Sequence, residues 1–481
     1  SPDRAVPPGP RERPGAPDSP GLAEAPGVPE AQGAPDEDHD DQDHDGGAGR
    51  AHGRRGSLHS VLHVVLAGGV LPLVSLATGP LLARTLGLEG RGHLSAVLAP
   101  VALVPYVLSI GLGDGASYLV ARRGKRPADV ALVLGLFGAG TGALGALALW
   151  LLAPVLLADY PRGIGLLRAL GLTLVPAMAL GVVQAARTGE GRYDLLVRER
   201  WIAGLSRLAA LGGLALAGAL TVASGAWAQV LLLVVAQCAA LSGLSRPRAR
   251  WRQAREIARE GTRFGSRAWG GELAVFVILR LDQTVMLPLA GAGQLGLYVV
   301  AVSLAEVPTM LLGDLRRLLL AEVAARRDAQ LAARACRLAV VAVGLPVLAG
   351  MALTPLVVPL LFGSEFAGAV PMAVVLLSAS VFSGLNLFLG GSISALGSPG
   401  TQSRAQMVSL LVAVLGIALI PPFGGMGAAA GSLLAYAAGT VVMVAVFRRL
   451  TGLPLRAVVV PQRADVAFLV SSVTRRFRRS S

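Results

Sequence analysis

The sequence predicts an all-α polytopic membrane protein of twelve transmembrane helices, and three observations carry that expectation. Hydrophobic residues make up 53% of the 481 and charged residues only 15%. Apolar runs of span length recur along the chain, and about 20 apolar residues suffice to cross a bilayer as a helix. A glycine-rich joint between two such runs occurs twice at a fixed offset, which marks two homologous halves in the same order. Lipid offers the backbone no hydrogen-bond partner, so the runs must be helices. The composition excludes a string of soluble domains.

The repeated unit is a helical hairpin from Leu58 to Ala121. Its two apolar arms flank RTLGLEGRGH, where Gly87, Gly90 and Gly92 suit a tight reversal. A similar joint recurs as PLAGAGQLGLYVVA, with Gly291, Gly293 and Gly296, and Gly291 follows Gly87 by 204 residues. The offset persists downstream: LAPVLLADYPRG (152–163) resembles TPLVVPLLFGSEFAG (354–368), and the loop at 187–192 falls opposite GSPG (397–400).

Taken in order, residues 1–56 are rich in Pro, Gly, Ala and Asp and are expected to be a disordered cytoplasmic tail. Their acidic run DEDHDDQDHD holds His39 and His44; a divalent metal is conceivable there, but a solvated carboxylate run is the better expectation, so no metal or cofactor is assigned. The opening residues lack a charged stretch followed by an apolar core, so no secretory signal is expected in them. Twelve spans follow, at 58–83, 94–120, 130–153, 164–186, 201–222, 227–245, 270–290, 296–319, 336–362, 370–396, 405–421 and 426–447. They divide into an N-terminal six-helix lobe (57–245), a basic linker (246–269), a C-terminal six-helix lobe (270–447) and a basic tail (448–481). Prolines inside spans, among them Pro72, Pro105, Pro176, Pro288 and Pro308, suggest kinks. Cys238 and Cys336 support neither a disulfide framework nor a metal site.

Charge orients the spans. A net charge of +14 would point to nucleic acid in a soluble protein. Here 34 of the 43 Lys and Arg fall at 50–55, in alternate turns on one side and in the tail from Arg448 to Arg479, whereas the opposite joints hold only Arg84, Arg91 and Arg162. By the positive-inside rule both termini are cytoplasmic, and no nucleic-acid partner is expected. The linker PRARWRQAREIAREGTRFGSRAW (247–269) reads either as a basic helix on the anionic membrane surface or as a solvated connection.

Several stretches resemble the polysaccharide (O-antigen type) flippases of the multidrug/oligosaccharidyl-lipid/polysaccharide exporter superfamily. LLARTLGLEGRGHLS is similar to that family's first joint, LGLGDGASYLVAR to the end of its second span, RLDQTVMLPLAGAGQLGLYVVAVSL to its seventh and eighth spans, and LFGSEFAGA to its ninth-span exit. The resemblance covers about 58–450 and rests on the order of these patterns. It implies two pseudo-symmetric six-helix lobes around a central cavity that opens alternately to each side. It implies an undecaprenyl-diphosphate-linked oligosaccharide as cargo, membrane lipids as surroundings, coupling to an ion gradient or membrane potential, and room for a glycan polymerase or glycosyltransferases as partners. The cytoplasmic membrane is the implied location. Peptidoglycan-precursor flippases of the superfamily generally have two further spans, which are not found here.

Charges within spans cost several kcal/mol unless they face a cavity or a partner, so they are the first site candidates. Arg280 and Asp282 lie mid-span in ILRLDQTV, on opposite sides of a helix, so one is expected to face the cavity and the other a neighbouring helix. Arg280 is the choice for a diphosphate or acidic sugar, because a guanidinium stays charged and can bind phosphate oxygens bidentately; an ion pair locking the lobes is the alternative. Arg84 and Arg91 flank the first joint, as cavity-mouth groups or interfacial anchors. Arg168 and Arg207 could line the N-terminal lobe. Asp114, Asp282 and Glu306 are candidates for ion coupling, and Glu306 and Asp314 could instead pair with Arg316 and Arg317. Gln184 and Asn386 could touch sugar, although helix–helix hydrogen bonding is the better expectation. His59, His63 and His93 are assigned no role.

Two other functions compete with the flippase. An ion-coupled multidrug antiporter would need acidic cavity groups, yet the first span has no carboxylate and the mid-span charges lean to arginine. A membrane glycosyltransferase or polysaccharide polymerase would need an outward catalytic loop rich in acids or bases; the outer joints are short and hold only Glu89, Asp159 and Glu365. No GxxxxGK[ST] loop for nucleotide phosphate occurs. The chain is therefore read as a transporter and not an enzyme.

Overall fold

Two helices of 60 residues each, α1 (Gly49–Leu108) and α8 (Trp251–Met310), occupy matching places in the two halves of the repeat. Each is interrupted by one glycine at positive φ: Gly87 (φ 69°, ψ −177°) in α1 and Gly291 (φ 80°, ψ 170°) in α8. A residue with a Cβ adopts that conformation only under strain. The joints expected as polar loops are therefore helical on both sides of a single glycine, and the duplication seen in sequence reappears as backbone geometry.

The computed structural model describes residues 49–310, 323, 328–396, 399–460 and 462. Asp314, Arg316, Arg317, the acidic run at 36–45 and the basic C-terminal stretch lie outside them. Between and after the two long helices run α2 (Leu112–Ala121), α3 (Pro127–Leu156), α4 (Pro161–Gly171), α5 (Leu174–Gly189), α6 (Tyr193–Leu216), α7 (Val222–Gln237), α9 (Ala329–Phe362), α10 (Ala369–Ala395), α11 (Pro399–Gly416), α12 (Ile420–Thr451) and the short α13 (Leu455–Val459).

Among the described residues, eight helical runs are long and apolar enough to cross a membrane. Three of them, Val74–Leu108, Leu273–Thr309 and Arg404–Thr451, each reach across two of the expected spans. The expected fifth span falls in α6, whose charged first half keeps it below that threshold. The chain is a multi-pass, all-helical membrane protein.

Local chemistry explains where the helices break. The expected span 94–120 is split because Ile110 (φ 46°) and Gly111 (φ 67°) are left-handed, ending α1 and restarting the chain as α2. The expected span 164–186 is split at Leu172–Thr173: Pro176 has no N–H for the Leu172 carbonyl, which accepts instead from the Val175 N–H at 3.3 Å, and the Thr173 hydroxyl donates to Leu170 O at 2.6 Å. Thr221 and Ser224 form a reciprocal capping box at the start of α7. The Asp328 carboxylate caps α9 by accepting from the Gln330 N–H at 2.7 Å and the Leu331 N–H at 3.3 Å.

One apolar cluster joins Leu82, Leu94 and Leu149 of the first half to Tyr298, Phe362 and Phe388 of the second. Leu136, Trp150, Leu151, Leu356, Leu411 and Val441 point outward and exposed, as lipid-facing positions should. At the end bearing the two joints, the backbones nearly touch: a methyl on Gly92 would run into the Ala292 carbonyl, and one on Gly296 into the Leu88 carbonyl. At the opposite, arginine-rich end, Gly111 and Gly115 meet Gly265 and Gly261 of α8 in the same way. Only glycine permits such approaches.

The linker is not a free connection. Residues from Trp251 onward are the first turns of α8 and run without a break into the expected seventh span. Ile257, only 3% exposed, packs with Leu119, Leu134 and Ala186. Phe264 stacks on Tyr118 at 3.9 Å, Glu260 pairs with Arg123 at 2.7 Å and Glu256 with Lys125 at 2.9 Å. Trp251 stays in the open.

Candidate functional site

A cavity of about 870 Å³ lies among α1, α2, α3, α5, α6, α7 and α8. Three of its lining side chains are guanidiniums, Arg91, Arg207 and Arg280, and one is a carboxylate, Asp114. Four glutamines, Gln184, Gln229, Gln237 and Gln283, complete the polar lining together with several hydroxyls. Arg91 projects from just beyond the Gly87 joint and Arg207 from the second half of α6, and both line the cavity. Asp114 sits in the first turn of α2, where the helix N-terminus favours negative charge.

The cavity wall is short of partners. Among the described residues, the buried Nε of Arg91, Nε of Arg207, Nε2 of Gln184, Nε2 of Gln283 and Oε1 of Gln237 make no hydrogen bond. A buried polar atom left unpaired costs about 1–3 kcal/mol, more for a charged group. These atoms do not themselves open onto the cavity, but three guanidiniums against one lining carboxylate among the described residues make the wall suit an acceptor-rich, anionic guest. Arg280 is partly engaged: its Nη1 donates to Gln283 Oε1 at 3.3 Å and its Nη2 lies 3.7 Å from Glu306 Oε1.

Other candidates are placed elsewhere. Arg84 donates through Nε to Leu361 O at 2.9 Å and through Nη2 to Leu360 O, fastening the first joint to the end of α9. Arg168 stacks 4.2 Å over the Trp150 ring and donates to the Trp150 carbonyl at 3.2 Å. Neither lines the cavity. Asp282 turns away from it, as the opposite-side reading of Arg280 and Asp282 expects. Its Oδ2 accepts from the Tyr298 hydroxyl and from Ser432 Oγ at 3.4 Å, and its Oδ1 from the Gln283 N–H at 2.6 Å. A separate pocket of about 20 Å³ adjoins it. Asn386 donates to Tyr436 O at 3.0 Å and accepts from Thr440 at 2.8 Å, a helix–helix contact. Among the described residues no three His, Cys, Asp or Glu side chains cluster to hold a metal.

Residues 81–371 match the family model described as polysaccharide biosynthesis protein. The chain belongs to that family. A stretch of 83 residues is 34% identical to a Haloferax volcanii protein named probable low-salt glycan biosynthesis flippase Agl15, and spans 17% of this chain and 18% of that relative. The fold is similar to an inward-facing multidrug resistance MATE family transporter of the MOP superfamily, at a TM-score of 0.64 and 15% identity over 81% of this chain and 99% of the other. It is also similar to the lipid II flippase MurJ in an inward closed conformation, at a TM-score of 0.63 and 12% identity over 81% and 89%. At such identities the likeness concerns the fold alone.

In this polysaccharide biosynthesis protein the cavity brings together Arg91, Arg207, Arg280 and Asp114, which their charge singles out in the sequence, with Gln229, Gln237 and Gln283, which it does not. The signal was present, since an amide within an apolar span needs a partner just as a charge does. Amides are common enough at helix–helix contacts that only the cavity separates Gln283 from Asn386.

Proposed function

We propose that this polysaccharide biosynthesis protein is a flippase. It moves a lipid-linked oligosaccharide of the undecaprenyl-diphosphate type across the cytoplasmic membrane by alternating access. The observation that carries the reading is the set of three guanidiniums on one large cavity, against a single lining carboxylate among the described residues. A diphosphate offers several charged acceptors and fits that wall. Arg91, Arg207 and Arg280 hold the diphosphate; Arg84 and Arg168, outside the cavity, hold neighbouring structure and any part of the cargo that passes them.

Asp114, Asp282 and Glu306 are the groups for ion coupling. Asp282 has neutral hydroxyl partners and so can change protonation without breaking an ion pair. Glu306 and Arg280 sit 3.7 Å apart, so a charge change on one is felt by the cargo site. Both termini are cytoplasmic, a glycan polymerase or glycosyltransferases work alongside, and the chain itself transports and does not catalyse. The lobes are those of residues 57–245 and 270–447, and residues 246–269 join them. Multidrug antiport is the second reading, but a cation would meet three guanidiniums in this cavity.

Leaflet transfer in sealed liposomes tests the proposal. A labelled undecaprenyl-diphosphate oligosaccharide should change leaflets only when the protein is present, and more slowly with Arg280→Ala. Export of a cationic dye under a proton gradient, with no movement of any lipid-linked glycan, would replace it with the antiporter.

A further inference from the structure

Five arginines in the first turns of α8 form a stripe. Arg252, Arg255, Arg259, Arg263 and Arg267 recur every three or four residues, and all five are exposed. At 3.6 residues per turn they share about a third of the helix circumference. Ile257, Gly261 and Gly265 occupy the opposite side, where α8 packs on α2 and α3. The two carboxylates of this stretch are already spent, Glu256 on Lys125 and Glu260 on Arg123. Among the described residues no ion pair balances the five guanidiniums.

The depth of the stripe decides what it meets. A methyl on Gly261 would come within 2.8 Å of Leu134, so this turn of α8 lies level with that turn of α3. Leu132, Leu136 and Phe137 of the same stretch are exposed apolar side chains in a helix able to cross a membrane. Arg259 and Arg263 flank Gly261, and Arg267 stands about 9 Å before the apolar run that starts at Leu273. Those three lie where lipid begins. Arg255 and Arg252 are about 9 and 14 Å to the water side of Gly261, past a headgroup layer of about 5–8 Å. A guanidinium at lipid depth is costly unless it reaches water or phosphate, and the long arginine stem can carry it to the headgroups. Phosphate is the partner that a planar guanidinium holds with two parallel hydrogen bonds.

We propose that Arg259, Arg263 and Arg267 form a seat for anionic phospholipid headgroups in the leaflet at the arginine-rich end of the bundle. The apolar side of the helix is committed to α2 and α3, so it does not insert, and only the charged side meets the lipid. Each bound phosphate also neutralises like charges crowded on one face. The seat goes beyond the flippase reading, since a transporter of any cargo would hold the same stripe against the same leaflet.

The test uses the full chain in a neutral detergent with a fluorescent phosphatidylglycerol, displaced by unlabelled competitors. Phosphatidylglycerol should compete about tenfold or more better than phosphatidylcholine, and inorganic phosphate should not compete. An arginine near an anionic surface contributes about fivefold in affinity, so Arg259→Gln/Arg263→Gln/Arg267→Gln should lose about 100-fold. The corresponding triple lysine variant should keep most of the binding, which separates charge from folding. Arg252→Gln/Arg255→Gln, on the water side, should stay within about threefold of wild type. A glutamine triple variant that still prefers phosphatidylglycerol would overturn the proposal and leave the stripe to an acidic protein partner. Equal losses per arginine in the inner and outer variants would also overturn it, because diffuse charge and not a seat at lipid depth would then bind. Binding of a polyprenyl diphosphate with refusal of phosphatidylglycerol would overturn it as well and assign these arginines to the cargo.

Discussion

Arg280→Ala should weaken binding of a polyprenyl-diphosphate lipid by more than the loss of one cation, because the substitution uncovers Glu306. Losing a charge-assisted hydrogen bond costs about 1.5–3 kcal/mol, or about 10- to 150-fold in affinity. In the wild type the Glu306 carboxylate lies 3.7 Å from Arg280 Nη2, so the guanidinium shields the cavity from it. With the guanidinium gone, an unbalanced carboxylate faces the phosphates. At a separation of about 7 Å and an effective dielectric of about 20, that repulsion is about 2 kcal/mol per phosphate charge. The single variant should therefore bind about 4 kcal/mol more weakly, and Arg280→Ala/Glu306→Gln should recover about 2 kcal/mol, roughly 30-fold. Equilibrium binding of a fluorescent polyprenyl diphosphate in nanodiscs measures all the corners of the cycle. A double variant no tighter than Arg280→Ala would refute the idea that Glu306 sees the cargo. An unweakened Arg280→Ala would refute the role of the guanidinium itself.

Two other perturbations separate stability from cargo binding. Arg84→Ala removes the side chain's hydrogen bonds to the Leu360 and Leu361 carbonyls; because Arg84 is exposed, about 1 kcal/mol of stability should be lost, seen as a lower Tm in detergent with diphosphate affinity unchanged. Burial pushes the Glu199 carboxyl up to about 7, opposed in part by Arg200, and its Oε2 has no partner among the described residues. Glu199 precedes the expected fifth span. A carboxyl raised in the folded state keeps its proton there after the unfolded chain has lost it, so stability is highest below about pH 4.5 and falls until about pH 7. The fall should be up to about 3 kcal/mol, and Tm followed against pH should lose most of that slope in Glu199→Gln.

The repeat was legible because it is written in residues with few alternatives. A glycine at φ near 70° is hard to replace, so Gly87 and Gly291 mark the same break in both halves. Where a helix depends on a neighbour, the sequence said less. The break at Ile110–Gly111 looked like the middle of a span, since an apolar run is apolar whether or not its backbone is helical. Gly111 takes its meaning from Gly265, more than 150 residues away, whose carbonyl leaves no room for a side chain. The linker's role was undecided for the same reason: Ile257 and Phe264 amid arginines fit a lipid surface equally well until Leu119 and Leu134 are seen to cover Ile257 and Tyr118 to stack on Phe264.

What the sequence determined by itself was the solvent and the plan: apolar runs that only lipid can accommodate, a duplication at an offset of 204 residues, and a bias of arginine to one side. These depend on composition and spacing, which are local properties of the chain. Only the tertiary structure decided which charges share a cavity. Arg91, Arg207 and Arg280 come from three helices far apart in sequence and line one wall, while Arg84 and Arg168 are taken up by carbonyls and a Trp ring. A charge in a span announces that it needs a partner. Whether that partner is a backbone carbonyl, an aromatic ring or a guest depends on what folding brings within about 3 Å of it.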